Sequence, residues 1–597
     1  MPQEESKPVD QAAEQEAVQQ AVSELKISEE AGAQAEEHKE SSEDEAGEAE
    51  ASTGNDATKG KKKSKKSKKQ KLKNALSTVT PGSSAAPVSA SEPLPAKAIN
   101  ALSDSQISAL VAQNPALAQQ ILSSGSGTDQ QKLRDAFKNI SAAELLTGMS
   151  KGKNAKDMAS YKFWSTQPVP KFDDDAAAAA AAASSSAQSA AAGEVKKEAK
   201  KEGPIKEVDI NKVPKEPSPL VAGFEWSEVD LEDPPQLDEV QDLLCNHYVE
   251  DDEAMFRFNY LKETLAWALK APGWRKSWHV GVRASKSRKL VAFISAIPLQ
   301  LRVRDNKIKG SEVNFLCIHK KLRAKRLAPV LIMEITRRCN LEGVFQAIYT
   351  AGVILPKPVA SCRYFHRALD WEKLYSVGFS PLPSGSTKQR QVIKYRLPDR
   401  TATPGLRLME AKDVDAVHSL LNRYLKRVKL AQEFSKDEVA HWFIDNESDP
   451  KSAKRVVWTY VVEDSAKKIT DFFSFYCLES SVIHGAGNHS TIRAAYMFYY
   501  GTESAFVEQK EDKVLSDRLN LLAKDALILA KQARFDVFNA LTLLDNPLFL
   551  EKQLFGAGDG QLHYYLFNYR TADLPSGVDA GNHVDARQRG GVGVVML

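Results

Sequence analysis

Cysteine is scarce in this 597-residue chain: there are five cysteines, an odd number, and none belongs to a Cys-x-x-Cys pair. A disulfide framework needs paired cysteines, and a structural zinc site needs closely spaced ligands. The sequence therefore predicts reduced thiols, as in a cytoplasmic protein, and predicts neither a disulfide scaffold nor a metal site.

Long hydrophobic runs are also missing. No apolar stretch reaches the roughly 20 residues that a membrane-spanning helix needs. The first ten residues, MPQEESKPVD, contain no apolar segment of the kind that a secretory signal peptide carries. We therefore expect a protein with no signal peptide and no transmembrane segment, located in the cytoplasm.

Phe, Tyr and Trp are absent from residues 1–95, which are rich in Glu, Gln, Ala, Lys and Ser. Residues 28–50 are acid-rich, and residues 59–73 hold ten lysines. Such a composition buries too little apolar surface to fold, so we predict a disordered acidic and polylysine arm. The lysine block suits the phosphates of ribosomal RNA or of an anionic membrane, while a solvated tail or a localisation signal is the alternative.

Composition divides the rest of the chain into five segments. Residues 96–160 are of low complexity and partly helical in pattern, and residues 173–203 form an Ala- and Ser-rich linker. Between them, residues 161–172 read YKFWSTQPVPKF, which we expect to be extended because of its prolines. Beyond the linker, helical and strand patterns recur in similar order, which predicts two duplicated α/β units at 204–400 and 401–597.

The most informative stretch begins at Ser311. Val313–Ile318 is an apolar run typical of a buried strand, and a basic turn, Lys320–Arg326, follows it. We expect Pro329 at the first position of the next helix. The free N–H groups and the dipole of a helix N-terminus attract anions, so this turn is a candidate phosphate site. An ordinary turn with solvated lysines is the alternative.

The residues EVNFLCIHKKLRAKRLAPVLI, which begin at Glu312, resemble a signature segment of the N-myristoyltransferase (glycylpeptide N-tetradecanoyltransferase) family, especially its fungal members. YKFWSTQPVPKF and the final GVGVVML also match family segments, and the resemblance covers roughly residues 160–172 and 204–597. It implies an α/β fold of two GNAT-like acyltransferase halves, related by a pseudo-twofold axis, with a saddle-shaped mixed sheet surrounded by helices.

The resemblance also implies an activity. A monomeric enzyme would transfer myristate from myristoyl-CoA, a co-substrate, to the N-terminal glycine of nascent proteins, with no permanently bound cofactor. The family's lysine-rich arms further imply an association of residues 59–73 with the ribosome.

The catalytic groups implied by the resemblance are backbone groups. The base is the α-carboxylate of Leu597, the last residue, and the oxyanion hole consists of the N–H groups of Phe315 and Leu316. In water an α-carboxyl has a pKa of about 3.5 and an α-ammonium about 8, so the proton transfer costs about 6 kcal/mol. Burial narrows that gap, so a buried terminus is a plausible base, whereas most chain ends are frayed.

Myristoyl-CoA binding is implied for residues of the aromatic segment, the strand and the basic turn. They are Tyr161, Lys162, Phe163, Trp164, Phe315, Leu316, Cys317, Ile318, Arg323, Ala324, Lys325, Arg326, Leu327 and Ala328. For the aromatic residues, a packing role is the alternative. Cys317 and His319 share one face of the strand, so a covalent acyl-cysteine route is an alternative to direct transfer.

Peptide binding is implied for an acidic loop, for the segment YTAGVILPKPVASCRYFHR and for two later positions. The residues are Tyr248, Asp251, Asp252, Phe256, Phe258, Thr350, Gly352, Tyr364, His366, Ser474 and Asp559. Taken alone, the acidic loop is typical of a solvated surface, and the GAGDG string that starts at Gly556 is typical of a turn.

Two other classes of function remain open from the sequence. One is another GNAT-type acyl-CoA N-acyltransferase, such as an acetyltransferase, which would lack the deep apolar tunnel that a long acyl chain needs. The other is a non-catalytic, ribosome-associated adaptor of the same fold, which would bind myristoyl-CoA without turnover.

Overall fold

The computed structural model describes residues 161–171, 202–251, 254–447, 449–483, 489–507 and 512–597. All of them belong to one compact unit, Asp157–Leu597. The predictions for residues 1–160, for most of the Ala-rich linker and for Asp252 lie outside the described residues.

The described residues contain one mixed sheet of fourteen strands. The strands are β1 Phe224–Glu228, β2 Phe256–Asn259, β3 His279–Ala284, β4 Leu290–Val303, β5 Asn306–Ile318, β6 Gln346–Ala351, β7 Ala360–Ala368, β8 Leu406–Leu408, β9 Leu430–Gln432, β10 Val457–Glu463, β11 Ile469–Val482, β12 Thr491–Thr502, β13 Val537–Leu541 and β14 Gly556–Phe567. Their order is β1-β3-β4-β5-β6-β14-β7-β13-β12-β11-β10-β8, with β2 beside β11 and β9 beside β4.

Helices cover the sheet. They are α1 Lys162–Thr166, α2 Pro234–His247, α3 Lys262–Leu269, α4 Leu327–Leu341, α5 Trp371–Ser376, α6 Lys388–Lys394, α7 Val414–Leu425, α8 Lys436–Phe443 and α9 Lys513–Gln532. Successive side chains of β4 point to opposite faces, as the pleat requires. Phe293 packs in the same cluster as Leu243 of α2, while Ile294 packs in the cluster of Leu331 and Ile335 of α4. Apolar side chains therefore bury both faces of the sheet at this strand.

The duplicated pattern in the sequence corresponds to a duplicated topology. In the first half β3, β4 and β5 are antiparallel neighbours, and α4 crosses over to the parallel strand β6. In the second half β10, β11 and β12 repeat the meander, and α9 crosses over to β13. The next strand of each half, β7 or β14, pairs with the parallel strand of the other half: β7 pairs with β13, and β14 pairs with β6. β7 and β14 also pair with each other. The halves therefore share one continuous sheet.

The two parallel pairs separate soon after they begin. β5 pairs with β6 only over Gly310–Glu312, although β5 continues to Ile318. β12 pairs with β13 only over Ala494–Tyr496, although β12 continues to Thr502. Just past these points both β5 and β12 carry a bulge against their antiparallel neighbours. Each half therefore has a bulged strand at the edge of a gap in the sheet.

Three local predictions were wrong. The aromatic segment is not wholly extended, because Lys162–Thr166 forms a short helix whose Trp164 packs against the body. Pro329 is the third residue of α4 rather than the first, since the helix begins at Leu327. The GAGDG string is the start of β14 rather than a turn, because Gly556 pairs with His366 of β7 across an irregularity.

Candidate active site

The end of the chain runs through the interior of the protein. Every residue of Val592–Met596 is buried. The segment pairs with the start of β9 and with the loop after β13: the Gly593 N–H donates to the Leu430 carbonyl at 2.7 Å, and the Leu544 N–H donates to the Val592 carbonyl at 2.8 Å. The tail is therefore held in place by backbone hydrogen bonds and is not a frayed terminus.

Glycine is required where this segment enters. A Cβ on Gly591 would lie 1.8 Å from the Pro575 carbonyl oxygen, which is backbone and cannot swing aside. A Cβ on Gly593 would lie 2.5 Å from the Val428 side chain. The two glycines thus permit close packing of the segment, Gly591 against a backbone carbonyl and Gly593 against a side chain, that a Cβ would block.

The segment ends beside the bulge of β5. A carboxylate oxygen of Leu597 accepts a hydrogen bond from Asn314 Nδ2 at 2.6 Å. The other end of the same amide, Asn314 Oδ1, accepts from the Phe315 N–H at 2.9 Å. One side chain therefore connects the terminal carboxylate to the N–H group that was predicted to stabilise an oxyanion.

Phe315 has a left-handed backbone, with φ of 55°. This conformation costs an L-residue about 1–2 kcal/mol, so the surroundings must hold it. Its ring is 2% exposed and lies 6.0 Å from the ring of Tyr248 and 5.4 Å from that of Tyr260. Packing of the side chain thus fixes an unusual backbone at the position of the proposed oxyanion hole.

Sequence reasoning missed two polar residues of β5, Glu312 and Asn314. Glu312 is buried, and burial raises the pKa of its carboxyl to about 7, while a hydrogen bond from Asn314 opposes the rise. The available signal was two polar residues, two positions apart, in an otherwise apolar strand. Asn314 therefore contacts both the terminal carboxylate and the buried carboxyl of Glu312.

Cys317 is not activated as a nucleophile. Its thiol is buried and donates to the Leu243 carbonyl at 3.7 Å, and burial raises its pKa to about 12. His319 does not pair with it: its ring lies 4.0 Å from the ring of His247, and its Nδ1 accepts from the Lys321 N–H. The arrangement disfavours the acyl-cysteine route.

The basic turn is a 3-10 helix over Lys320–Lys325. Arg326, with φ of 55°, separates it from α4, whose N-terminus has no side-chain cap. Lys320 pairs with Glu250 of the acidic loop at 2.8 Å, and the Arg323 guanidinium donates to the Tyr248 carbonyl at 3.5 Å. The turn therefore offers an uncapped helix end to an anion and also contacts the loop predicted to bind the peptide.

The aromatic segment packs on β6 and β14. Trp164 stacks on Tyr349 at 5.6 Å, Tyr349 stacks on Tyr565 at 5.1 Å, and Phe163 meets Trp164 edge-on at 5.1 Å. The Tyr161 hydroxyl donates to the Ile354 carbonyl at 3.0 Å. These contacts anchor the segment to the central strands of the sheet.

A hydrogen bond to Asp251 closes the acidic loop. Asp251 Oδ1 accepts from the Phe256 N–H at 2.7 Å. Phe256 and Phe258 follow on β2, two residues apart and therefore on one face, and β2 is fixed by pairing with β11. The loop and its aromatic residues are thus attached to the second half of the sheet.

The central strands carry the next group of predicted peptide residues. Thr350 and Tyr364 are both half-buried, on β6 and β7, and Gly352 is exposed just after β6. His366 Nδ1 pairs with Asn539 Oδ1 at 2.7 Å, and burial lowers the pKa of the ring. Asp559 is exposed on β14, and its charge acts on His366 and on Arg363.

Ser474 is placed differently from the other predicted peptide residues. It is completely buried, and its hydroxyl donates to the Tyr499 carbonyl at 2.7 Å and accepts from the Tyr499 N–H at 3.1 Å. A direct contact with a peptide stays a prediction for this residue.

The remaining predicted cofactor residues surround the β5–α4 connection. Leu316 and Ile318 are half-buried and pack against the α4 cluster, and Leu327 is buried. Lys162 is exposed, and Lys325 and Ala328 are half-buried. In the described part of the chain, no group of three or more His, Cys, Asp or Glu side chains is arranged to hold a metal ion. The helices of that part are also too short or too polar to cross a membrane.

Two α/β halves, each with a parallel pair that separates at a bulged strand, define an acyltransferase fold of the GNAT type, and the predicted fold class is confirmed. The first half carries a basic helix N-terminus at the end of the bulged strand.

Two family models identify the family. The N-terminal domain of myristoyl-CoA:protein N-myristoyltransferase matches residues 204–362, and the C-terminal domain matches residues 376–595. The chain belongs to the N-myristoyltransferase family.

Relatives with known names agree. A glycylpeptide N-tetradecanoyltransferase of Emericella nidulans is 57% identical over 491 residues, 82% of this chain and 94% of the relative. That of Neurospora crassa is 51% identical over 601 residues and 100% of both chains. A crystal structure of Saccharomyces cerevisiae N-myristoyltransferase with bound myristoyl-CoA aligns with a TM-score of 0.67 and 46% identity, covering 73% of this chain and 95% of that chain.

Proposed function

We propose that the protein transfers myristate from myristoyl-CoA to the N-terminal glycine amine of protein substrates by direct attack. The α-carboxylate of Leu597 is the base, and the backbone N–H groups of Phe315 and Leu316 form the oxyanion hole. The observation that carries this proposal is the 2.6 Å hydrogen bond between Asn314 and the Leu597 carboxylate, beside the bulge of β5.

Position and burial support the base. The tail up to Met596 is buried, and Leu597 itself is half-buried, so the carboxylate is partly removed from water. Partial removal from water raises the pKa of a carboxyl and lowers that of an amine, which brings the two groups closer in proton affinity. The bound glycine ammonium then gives one proton to Leu597 and becomes a nucleophile.

The left-handed Phe315 supports the oxyanion hole. Its N–H group already has an oxygen acceptor in this structure, the Asn314 side chain at 2.9 Å. In the reaction, the thioester oxygen takes the place of that acceptor as it becomes negative. Losing one such donor costs typical enzymes about 3–4 kcal/mol of transition-state stabilisation.

The covalent steps balance without an acyl-enzyme. The amine nitrogen attacks the thioester carbon, a tetrahedral oxyanion forms, and the C–S bond breaks as the amide forms. CoA leaves as a thiolate and takes up the second proton of the nitrogen. Cys317 takes no part, because its raised pKa keeps the thiol protonated.

The same proposal assigns the binding residues. The diphosphate of CoA binds at the uncapped end of α4 and the basic turn, Arg323–Ala328, and the aromatic segment Tyr161–Trp164 packs over the cofactor. The peptide lies against Tyr248, the acidic residues at 251 and 252, and the aromatic residues of β2. Asp559 meets a substrate lysine, with Tyr364, His366 and Ser474 lining the same groove.

Specificity for glycine follows from crowding at the amine. Thr350 pairs with Tyr564, whose hydroxyl holds the terminal segment, so Thr350 and the tail are tied to one strand. An amine held between Thr350, the Leu597 carboxylate and the thioester leaves no space for a Cβ. We expect a peptide with N-terminal Ala in place of Gly to be turned over at a negligible rate.

The test extends the chain past Leu597. Adding several residues removes the carboxylate from its position, and the same residues added at the N-terminus serve as the control. Both proteins are incubated with myristoyl-CoA and a Gly-x-x-x-Ser peptide, and the product is weighed by mass spectrometry. We expect product only from the control. Full turnover by the C-terminally extended protein overturns the role of the base, and binding of myristoyl-CoA without any turnover by the native chain indicates an adaptor.

The cellular setting is part of the proposal. We place the enzyme in the cytoplasm as a monomer, associated with the ribosome through the ten lysines of residues 59–73. Replacing these lysines by Gln is expected to remove the protein from the ribosomal pellet in sedimentation, with the loss depending on salt. Unchanged sedimentation contradicts the ribosomal role.

A further inference from the structure

The terminal segment is held by two buried hydroxyl groups that take no part in the chemical steps above. The Val595 N–H donates to the Tyr499 hydroxyl at 3.0 Å. The Tyr564 hydroxyl donates to the Val594 carbonyl at 2.9 Å. Both tyrosines are buried, and they hold adjacent residues of the tail, two and three residues before the proposed base.

Tyr499 belongs to the bulge of β12. There Ser474 of β11 opposes two residues of β12, since the pairing shifts between Phe473 and Phe475. The Ser474 hydroxyl bonds both the carbonyl and the N–H of Tyr499, which fixes the backbone at the bulge. The strand therefore points a rigidly held hydroxyl at the tail.

The bulge of β12 is the counterpart of the bulge of β5. Each lies on the third strand of its meander, just after the parallel partner separates. At β5 a serine hydroxyl also bonds the bulged strand, because Ser295 donates to the Asn314 carbonyl at 3.0 Å. In the first half this feature presents backbone N–H groups to the thioester.

We propose that Tyr499 and Tyr564 are positioning residues for the reaction: their hydroxyls hold the terminal segment so that the Leu597 carboxylate reaches the substrate amine. The two bulges therefore have different roles: the bulge of β5 stabilises the oxyanion, and the bulge of β12 positions the base. The inference rests on the proposed function, because it assumes that Leu597 is the base.

A control lies one residue away. Tyr500 is also buried on β12, and its hydroxyl is also hydrogen-bonded, donating to Asn546 Oδ1 at 2.8 Å and accepting from the Asp545 N–H at 3.0 Å. None of these partners belongs to the terminal segment. Replacing either tyrosine by Phe removes one buried hydroxyl, but only Tyr499→Phe releases the tail.

The experiment compares Tyr499→Phe, Tyr564→Phe and Tyr500→Phe in the full-length protein. Without the tyrosine hydroxyl, a buried N–H or carbonyl of the tail has no hydrogen-bond partner, and the tail moves. The displaced Leu597 carboxylate then lowers kcat roughly ten- to a hundredfold. We expect this fall for the first two variants, with KM for the peptide and Kd for myristoyl-CoA within about twofold of the native values. Amide hydrogen exchange in residues 590–597 should rise in those two variants. Tyr500→Phe should lower the melting temperature to a similar extent and leave kcat and the exchange unchanged.

The C-terminally extended protein separates the two proposals. If Leu597 is the base, Tyr499→Phe in that protein changes the residual rate by less than about twofold, since the carboxylate is already misplaced. If the extension abolishes turnover and Tyr499→Phe and Tyr564→Phe leave kcat unchanged, the positioning role is wrong and the base stands. If the extended protein turns over fully, the base itself is wrong. Equal losses of kcat in Tyr499→Phe and Tyr500→Phe also overturn the inference.

Discussion

A single amide side chain joins the two proposed catalytic groups. Asn314 donates to the Leu597 carboxylate and accepts from the Phe315 N–H, so one rotamer sets both the orientation of the proposed base and the acceptor at the proposed oxyanion site. The contact with Leu597 is not visible in the sequence, because Asn314 and Leu597 are separated by 283 positions. The family resemblance indicated Leu597 and Phe315, and the structure identified Asn314, which connects them.

Asn314→Leu keeps the approximate size of the side chain and removes both hydrogen bonds. A hydrogen bond to a charged group contributes about 1.5–3 kcal/mol, so kcat should fall about ten- to a hundredfold. Single-turnover measurements with preloaded myristoyl-CoA test this directly. The Kd for myristoyl-CoA should change by less than about twofold, and a large change there would assign Asn314 to cofactor binding instead.

Cys317→Ala tests the route of transfer at the same scale. The buried thiol with its raised pKa predicts that kcat stays within about threefold of the native value, with a modest loss of stability from the small cavity. Quenched-flow samples analysed by mass should contain no acylated protein. Isolation of an acyl adduct on Cys317 would contradict direct transfer.

Glu312 makes the folded state sensitive to pH. Burial raises its pKa to about 7 from an ordinary value of 4.5, so the folded protein holds this proton more tightly than the unfolded chain does. The stabilisation is therefore complete below about pH 4.5 and is lost as the pH rises through 7, by about 3 kcal/mol at pH 8. In Glu312→Gln this contribution should vanish. Urea unfolding at pH 5 and pH 8 measures it, and an equal fall in both proteins would show that Glu312 is not responsible.

At the scale of elements, the terminal segment lies against neighbouring backbone, and glycine makes this close packing possible. The Cβ of an alanine at 591 would meet the Pro575 carbonyl oxygen at 1.8 Å, so the tail must move in Gly591→Ala. We expect kcat to fall by more than about a hundredfold while myristoyl-CoA still binds. Gly556→Ala is the control, since its Cβ would make only an ordinary contact at 3.8 Å, and comparable losses in both variants would contradict the explanation.

Long periodic elements were predictable, and elements held by distant contacts were not. The apolar run predicted as a strand at Val313–Ile318 is the second half of β5, and the helix predicted after the basic turn is observed as Leu327–Leu341. Periodicity within the element carries that information. The helix around Trp164 depends instead on stacking against Tyr349, and the start of β14 depends on pairing with β7. No local pattern encodes those partners.

For the whole molecule, the exchange of β7 and β14 makes the two halves inseparable. The last strand of each half pairs with the parallel strand of the other half: β7 pairs with β13, and β14 pairs with β6. The recurrence of helices and strands predicted the duplication, but sequence order could not reveal the exchange. The boundary predicted at residue 400 therefore divides the sequence and not the sheet. We expect the two halves to unfold together rather than in two steps.

Residues before the compact unit should be dispensable for chemistry on short peptides. The family models begin at residue 204, and the compact unit begins at Asp157. Deleting residues 1–156 should leave kcat and KM for a short peptide within about twofold. A deletion that continues through residue 171 removes the stack of Trp164 on Tyr349 and should weaken myristoyl-CoA binding. A tenfold loss from the shorter deletion would show that the arm takes part in the reaction.

The proposed base on the last residue would tie chemical competence to the completion of translation. Under the proposed mechanism, the carboxyl of Leu597 is an ester to transfer RNA until a release factor hydrolyses it, so it is no acid before that moment. Under that mechanism, a polypeptide read through past Leu597 keeps the buried tail but lacks a carboxylate at this position, so it binds the thioester and does not discharge it.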